Sequence, residues 1–347
     1  MFKEILLNKN ISIYEEFFNK ATFKTIYHHP RYLLAEEKAE NYNIYIYIYE
    51  EGDDFVVFPG VKRRINDISL YINEEERYDL ITPHEYSGVL SNKYCIELFE
   101  KFYDEMEAYC IGNKIVSCFI RFNPYSEEHR AAKNFNTILS DKQNRVECND
   151  HVLDNFQKRK ARYVKSAIKN GMELKEMEKN IYNIKTFFSY YTKAMKRLGA
   201  KSFLYFNLEY FIELCRNEFV KLFFVIDNKT QDILSGIIIL CDEEKKRMYH
   251  HLSFRNSNVG KMHSMEYMIF ATSKWAQEKG YREMHLGGGS ESLHQFKDGC
   301  TNKRVDYYIG TKIYDSETYE KLIHKLNDKY PEYIEKIYFP KYRIIEK

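Results

Sequence analysis

One segment, residues 246–289, constrains the fold of this chain more than any other. Lys246 to Phe254 is rich in aromatic and apolar residues and is predicted to be a strand. A polar loop, residues 255–261, follows it, and Ser264 is expected to cap an amphipathic helix that runs to about Lys279. Another strand, residues 282–286, completes the unit. The segment therefore predicts a strand, a loop, a helix and a second strand, which is an α/β arrangement.

The loop between the first strand and the helix is a candidate phosphate site. Backbone N–H groups at a helix N-terminus point outward, and the helix dipole favours an anion there. Arg255 and Lys261 add cations that can pair with a phosphate. The candidate ligand-binding residues of this loop are Arg255, Asn256, Gly260, Lys261 and Ser264. An ordinary polar loop before a well-capped helix explains the same residues, and the sequence leaves both readings open.

Three consecutive glycines, Gly287, Gly288 and Gly289, follow the second strand. Such a run indicates unusual dihedrals or a close approach to the backbone, and at the end of a strand it suits a place where ligand passes over the main chain. A flexible turn is the alternative. Lys297 lies a few residues downstream and supplies a cation near the glycines.

The rest of the chain extends the α/β pattern, and 347 residues favour two domains. A hairpin is predicted from residues 43–58, a helix over 94–110 and a strand over 114–122. Residues 134–149 show little periodicity and are interpreted as a connection between an N-terminal domain (1–150) and a C-terminal domain (151–347). The later predicted elements are helices near 151–169, 181–198, 207–217 and 316–328 and strands near 219–226, 233–241 and 304–314.

Composition excludes several classes of protein. The 53 basic and 51 acidic residues give a net charge of +2, which is too small for a typical nucleic-acid groove. The seven cysteines form no C-x-x-C pair and indicate neither a disulfide framework nor a zinc site, so we expect reduced thiols, a cytoplasmic protein and no metal. No apolar run approaches the roughly 18–20 residues of a membrane span, and residues 1–4 do not begin a signal peptide.

Two histidines stand side by side in the strand 246–254. Alternation groups His250 with Met248 and Leu252, and it puts His251 on the more polar face. We therefore expect His250 to face the core and His251 to be the candidate general base. Nearby, Arg162 and Lys165 are three residues apart on the predicted basic helix and are neighbours on one face, where they suit a phosphate or carboxylate of a substrate or form a solvated surface.

Several segments, in the same order along the chain, resemble FemAB-like acyltransferases of the GNAT superfamily. These are FPGVKRRI (58–65), YDLITPHEYSGVL (78–90), KRKARYVKSAIKNGMEL (158–174), YHHLSF (249–254), HLGGG (285–289) and LHQFK (293–297). The resemblance spans roughly residues 25–315. It departs from the family at Glu85 and Ser87, where glycines are usual, and in the single glycine of the loop, Gly260.

The resemblance implies two tandem GNAT-like domains of mixed sheets flanked by helices, with a substrate cleft at their interface. Family members transfer an acyl or aminoacyl group from acyl-CoA or aminoacyl-tRNA to an amine of a peptidoglycan precursor or a surface amino sugar. For this chain we expect acyl-CoA, with acetyl-CoA first, as donor on the C-terminal side and an amine-bearing sugar or glycan precursor as acceptor. The absence of a coiled-coil arm of the kind found in some tRNA-dependent members disfavours tRNA, which remains the alternative donor.

The same resemblance suggests residue roles. His251 matches the position of a family histidine, and analogy gives Tyr307 or Tyr308 the return of a proton to the leaving thiolate. The acceptor-side candidates of the first domain are Arg63, Arg64 and Tyr86.

Other enzyme classes lack their motifs. There is no G-x-S-x-G nucleophile elbow for an esterase, no P-loop, no H-E-x-x-H zinc motif and no Rossmann fingerprint. A non-enzymatic binder of polysaccharide or RNA stays as a rival because the helix 158–169 is basic, and a steep salt dependence of RNA binding would favour it.

Overall fold

We describe the fold from a computed structural model, which covers residues 1–40, 42–259 and 263–346. Within these ranges the chain forms thirteen strands and nine α-helices. The strands are β1 (Phe2–Leu6), β2 (Ile44–Glu51), β3 (Asp54–Arg64), β4 (Tyr78–Ile81), β5 (Leu90–Ser91), β6 (Ile115–Arg121), β7 (Asn136–Glu147), β8 (Met172–Glu176), β9 (Val220–Asp227), β10 (Ile233–Asp242), β11 (Arg247–Arg255), β12 (Glu283–Gly287) and β13 (Lys303–Ile313). The helices are α1 (Ile11–Lys20), α2 (Pro30–Glu40), α3 (Ile96–Gly112), α4 (Lys158–Lys169), α5 (Ile181–Leu198), α6 (Leu208–Cys215), α7 (Ser264–Glu278), α8 (Glu291–Asp298) and α9 (Ser316–Lys329).

The chain divides into two compact units. Unit 1 comprises residues 1–140 and 307–347, and unit 2 comprises residues 141–306. The sequence suggested a division into 1–150 and 151–347 instead. The C-terminal part returns to unit 1 because β13 pairs with β6, with Gly310 opposite Ile120.

Unit 1 is a mixed sheet with strand order β1-β2-β3-β4-β6-β13, and β5 pairs with β3. The strands β4 and β6 run parallel, and the predicted hairpin is formed by β2 and β3. Alternating isoleucine and tyrosine in β2 places bulky side chains on both faces, and α3 packs its buried face, which includes Phe102, against Tyr47 and Phe58. The resulting core is dominated by aromatic rings.

Unit 2 contains strands of mixed direction in the order β7-β12-β11-β10-β9-β8. The strands β11 and β12 run parallel, as a connection through α7 requires, and their neighbours are antiparallel. On one face α4 and α7 pack with Met248 of β11 and Phe223 of β9. On the other face Phe187 of α5 lies against Phe224 and Phe254.

Most predicted elements are confirmed, and the exceptions lie in unit 2. Residues 136–147, which we interpreted as part of a connection, form β7, paired with β12 through Val146 and Met284. The predicted helix from 151 begins later, with α4 at Lys158. Periodicity failed in β7 because neighbouring polar residues, Gln143 and Asn144, are both buried there.

Candidate functional site

The two histidines of β11 lie at a β-bulge. Ile238 of β10 pairs with Leu252, and the next residue, Ile239, pairs with His250, so one residue of β11 is extra. The bulge breaks the alternation that we used beyond His250: His250, opposite Ile239, lies on the face of Met248 as expected, whereas Leu252, opposite Ile238, and Phe254 lie on the other face. His251 is the buried histidine, with 8% of its surface exposed, and His250 is half-buried.

The bulge also sets the partners of both rings. His250 Nε2 lies 2.8 Å from the Ser253 hydroxyl, a contact that residues three apart in a regular strand do not make. Burial, the cation of Lys297 and the neighbouring His251 lower the pKa of His250 to about 3, so its ring stays neutral at physiological pH. His251 Nε2 lies 2.5 Å from the hydroxyl of Tyr210 on α6, and this buried bond fixes the orientation of the imidazole.

The three glycines form a sharp turn between β12 and α8. Gly287 and Gly289 have φ values of 69° and 147°, a region that favours glycine. Lys297 of α8 is 6% exposed, and its ammonium donates to the carbonyl oxygens of Gly287 at 3.1 Å and Gly288 at 2.6 Å. The structure thus brings together the predicted glycines and the predicted cation, and it places a buried positive charge at the end of β12.

A network of hydrogen-bonded polar side chains borders the same turn. His294 of α8 lies between the Asp141 carboxylate, 3.0 Å from Nε2, and the Asn144 amide oxygen, 3.2 Å from Nδ1. Asn144 is oriented because its Nδ2 donates to Asp298, and Arg304 contacts both oxygens of Asp298 at 2.6 Å. This network fixes the position of Asp141 beside Gly288.

The predicted phosphate loop is only partly described, since Gly260 and Lys261 lie outside the described residues. Ser264 does not cap α7, contrary to our prediction. It is the first residue of the helix, is buried, and directs its hydroxyl to the Leu234 carbonyl at 3.4 Å. The N-cap is His263, which has a φ of 56° and makes no side-chain capping bond.

Two other candidate residues of this loop differ in exposure to solvent. Arg255 is exposed. Asn256 is buried, and its amide group donates to the Ile233 carbonyl while its oxygen accepts from the N–H of Asn258. Asn256 therefore holds the loop in shape, and Arg255 is left exposed, where its guanidinium is accessible to an anion.

Helix α4 presents a basic surface. Arg162 and Lys165 are exposed and form no ion pair within the described part of the chain. Lys160, in contrast, is mostly buried and pairs with Glu266 of α7 at 2.7 Å. The ion pair fastens α4 to α7, and Arg162 and Lys165 remain open to a ligand.

Two predicted acceptor-side arginines of unit 1 are engaged in ion pairs. Arg63 Nε contacts the buried Asp79 at 2.7 Å. Arg64 is half-exposed and lies 3.9 Å from Asp67 and 3.8 Å from Glu76. Arg63 is therefore tied to the core of unit 1, and Arg64 is the more accessible of the two.

The three predicted tyrosines all lie in unit 1. Tyr86 and Tyr307 are buried and meet edge to face, with ring centroids 5.1 Å apart. Tyr308 stacks on His129, with centroids 3.9 Å apart. Burial and the charge of Arg130 lower the pKa of His129, which keeps this ring neutral. No sequence pattern predicts the stacking of His129 on Tyr308, because the two residues are distant in the chain.

The segment that departs from the FemAB-like pattern keeps a glycine-like backbone. Glu85 has a φ of 68°, in the region that glycine populates without strain, and Gly88 has a φ of 61°. Glu85 therefore adopts a backbone conformation that glycine adopts without strain.

Two further properties concern the described residues 1–40, 42–259 and 263–346. None of their helices combines the length and apolar character needed to cross a membrane. None of their His, Cys, Asp and Glu side chains form a group of three or more that could hold a metal ion.

Sequence comparisons find no match to a known family or to a curated protein. Structural comparisons do find relatives. FemX is 11% identical and superposes with a TM-score of 0.64, over 92% of this chain and 99% of FemX. The C-terminal domain of a protein assigned as a lysylphosphatidylglycerol synthetase from Agrobacterium fabrum is 10% identical, with a TM-score of 0.57 over 92% of this chain and 96% of that domain. L-PGS from Bacillus licheniformis is also 10% identical, with a TM-score of 0.56 over 91% of this chain and 96% of its own.

At sequence identities of 10% and 11%, these comparisons establish the fold alone. The coverage is nearly complete for both partners of each pair, so the likeness concerns the whole described architecture. The FemAB-like fold expected from the quoted segments is confirmed: the chain has the mixed α/β fold of FemX.

Proposed function

We propose that the protein is an N-acyltransferase that moves an acyl group from acyl-CoA to an amine, such as an amino sugar of a surface polysaccharide or another glycan precursor. The observation that carries the proposal is the fold shared with FemX over 92% of the chain. The strand–loop–helix–strand order of β11, α7 and β12 supports it, because a helix N-terminus after a polar loop suits the phosphates of a CoA thioester.

The attacking amine has to lose a proton. His251 is the proposed base, and the Tyr210 hydroxyl at its Nε2 gives it a route for the proton. The half-buried His250 is an alternative, but its pKa of about 3 makes it a weak base. For the leaving thiolate we propose protonation by Tyr307 or Tyr308.

The tetrahedral intermediate requires fixed positive charge or N–H donors near its oxyanion. Lys297 is held at the glycine turn by two carbonyl oxygens, so its ammonium group is already oriented before substrate binds. We propose that Lys297 and the backbone of Gly287, Gly288 and Gly289 contact the substrate. Arg162 and Lys165 of unit 2 are proposed to bind an anionic group of the acceptor. For unit 1 we propose Arg64 and Tyr86 as acceptor-side residues, with Arg63 orienting the local structure.

Aminoacyl-tRNA is the second candidate donor. It is favoured by the likeness to lysylphosphatidylglycerol synthetases, whose name denotes a lysyl-bearing lipid product, and by the exposed basic residues of α4. In that case the acceptor would be a peptidoglycan precursor or a lipid. The compartment that fits either donor is the cytoplasm.

Thermal unfolding with acetyl-CoA and with free CoA tests the preferred donor. A ligand at about 100 times its Kd raises the free energy of unfolding by ~2.7 kcal/mol. We expect an upward shift of Tm that is lost in the double variant Arg255→Ala, Lys261→Ala and kept in Arg216→Ala, which removes an exposed arginine of unit 2. No shift with either CoA species contradicts the CoA assignment, and transfer of a radiolabelled lysyl group from lysyl-tRNA would then support the second donor.

A further inference from the structure

Helix α4 concentrates the positive charge of the chain. Residues 155–172, which contain this helix, include six Lys and Arg residues and no Asp or Glu. Since the whole chain carries +2, all the other residues together carry −4. One helix of unit 2 is therefore strongly basic in a protein that is otherwise slightly acidic, and such an asymmetry of charge is typical of a surface that binds an anionic partner.

The exposed cations of α4 form a stripe along the helix. At about 3.6 residues per turn, four of them fall within a sector of about 60° and extend over ~16 Å of the helix axis. On the opposite side Val164 and Ala167 are buried in the core of unit 2, so the stripe faces solvent. We define this basic stripe by its four exposed residues, Lys158, Arg162, Lys165 and Lys169.

The basic stripe is unfavourable for the helix by itself. Like charges three or four residues apart repel each other, and cations in the first turn oppose the helix dipole. The first turn of α4 contains no acidic residue, and no side chain of the stripe forms an ion pair within residues 1–40, 42–259 and 263–346. In contrast, Lys321 and Lys325 of α9 both pair with Glu74, at 2.6 Å and 2.8 Å. An anion from outside the chain would supply the counter-charge that α4 lacks.

The residues beside the stripe indicate the kind of anion. Tyr163, the aromatic residue of α4, stacks on His263 with ring centroids 3.6 Å apart, so this ring is already engaged and α4 offers no platform for a nucleic-acid base. Ile168 instead is 50% exposed on the flank of the stripe. Exposed cations with an apolar side chain beside them are typical of a helix that lies on an anionic lipid surface.

We propose that the basic stripe of α4 docks unit 2 on an anionic phospholipid bilayer, with Ile168 at the boundary between headgroups and acyl chains. A bilayer meets the protein on one face, where the charge is positive, whereas a polyanion that extended beyond α4 would meet the net negative charge of the remaining residues. The proposal goes beyond the proposed function and does not rest on it, because docking needs neither the donor nor the acceptor.

Sedimentation of the full chain with vesicles measures docking without donor, acceptor or turnover. The vesicles consist of phosphatidylcholine alone, or of phosphatidylcholine with about one third phosphatidylglycerol or phosphatidylserine. We expect similar binding to both anionic mixtures and none to phosphatidylcholine, because the stripe responds to charge and not to one headgroup. Binding should weaken as the salt concentration rises, since salt screens exposed charges.

The double variant Lys158→Gln, Lys169→Gln should bind anionic vesicles about 30-fold more weakly, since each cation near such a surface contributes about fivefold. Both residues stand outside those proposed to bind the acceptor. The matched control is Lys185→Gln, Lys196→Gln, which removes the same charge from two exposed lysines of α5 at the same separation in sequence, on the other face of the sheet. The control should bind as the parent does, and neither double variant should lower Tm.

Ile168→Ser should weaken vesicle binding by about fivefold, because it removes the apolar contact and keeps the charge. Equal binding to neutral vesicles, binding to only one of the two anionic lipids, an equal loss in the α5 control, or unchanged binding in either α4 variant would overturn the proposal. Binding of a transfer-RNA mixture without binding of vesicles would also overturn it, in favour of a nucleic-acid partner. None of these results depends on CoA, so a failure here is distinct from a failure of the proposed function.

Discussion

Asp79 in unit 1 and Gln143 in unit 2 are both buried polar residues of strands, but their surroundings are opposite. Asp79 is 1% exposed and is surrounded by donors. Arg63 contacts one of its oxygens at 2.7 Å, and Arg343 and the Tyr342 hydroxyl contact the other. Gln143 is equally buried, and its Oε1 has no partner within the described residues.

The two residues differ in how the protein accommodates a buried polar group. Burial alone would raise the pKa of Asp79, but the charges of Arg63 and Arg343 outweigh it and lower that pKa. The cluster holds the C-terminal residues 341–346 on β4, so its partners lie within the chain itself. At Gln143 the described residues supply no such partner for Oε1.

The largest effect is expected for Asp79→Ala. The variant leaves the buried Arg343 with only the partly exposed Glu346 as counter-charge, and removing one partner of a buried pair costs about 3–5 kcal/mol. Urea unfolding at pH 7 measures the loss. Asp67→Ala is the control, because Asp67 is exposed and 3.9 Å from Arg64, and it should change stability by less than about 0.5 kcal/mol. If Asp79→Ala lowered the free energy of unfolding by less than about 1 kcal/mol, the Asp79 cluster would not be important for the stability of the fold.

Glu128 of unit 1 is an intermediate case. Its Oε1 accepts from the Tyr103 hydroxyl at 2.7 Å and from the N–H of Val89 at 3.0 Å, while its buried Oε2 has no partner among the described residues. Burial raises the pKa of Glu128 to about 8, and the two hydrogen bonds oppose this rise only in part. The group is therefore protonated in the folded protein at neutral pH.

The sign of the pH dependence follows from that raised pKa. Below pH 4.5 the folded and unfolded states both hold the proton, and between pH 4.5 and about 8 only the folded state keeps it. The contribution to the free energy of unfolding falls across this window, by about 2 kcal/mol from pH 5.5 to 7.0. Glu128→Gln should lose this dependence, so its stability relative to the parent should rise with pH.

Urea unfolding of both proteins across this range gives the difference, in which the other titrating groups cancel. Glu127→Gln is the matched control, because Glu127 is exposed and pairs with Arg130. If the difference in free energy of unfolding between Glu128→Gln and the parent did not change with pH, the Glu128 carboxyl would be ionised in the folded protein. Glu128 would then resemble Asp79, whose charge is stabilised by its neighbours.

The smallest effects concern two helix caps in unit 2. The Asn180 side chain accepts from the N–H of Asn183 and caps α5, whereas Ser290 at the same position of α8 makes no capping bond. Asn180→Ala should cost about 1 kcal/mol and Ser290→Ala only a few tenths. Thermal unfolding of both variants tests the pair. A loss in Ser290→Ala equal to that in Asn180→Ala would mean that the N-terminus of α8 is capped and less available to a ligand.

Local patterns predicted most of the fold. The β2–β3 hairpin, the helices α3, α5 and α7 and the strands β9 to β12 follow from side-chain periods of 2 and 3.6, which are properties of neighbouring residues. The site was predicted in part. The glycines at 287–289 and Lys297 were identified and do come together, but Ser264 was wrongly assigned as a cap, and α8 was not predicted.

What the sequence alone determined is the order of the elements, the glycine turn, the basic surface of α4 and a resemblance whose fold is confirmed. Only the tertiary structure decided that β7 is a strand, that a bulge in β11 turns Leu252 and Phe254 away from the face of Met248 and His250, and that Asp141 lies beside Gly288 and His294. The physical reason is that local periodicity is written in adjacent residues. Strand pairing and bulges depend instead on contacts between residues far apart in the chain, and these contacts bring together polar groups such as Asp141 and His294.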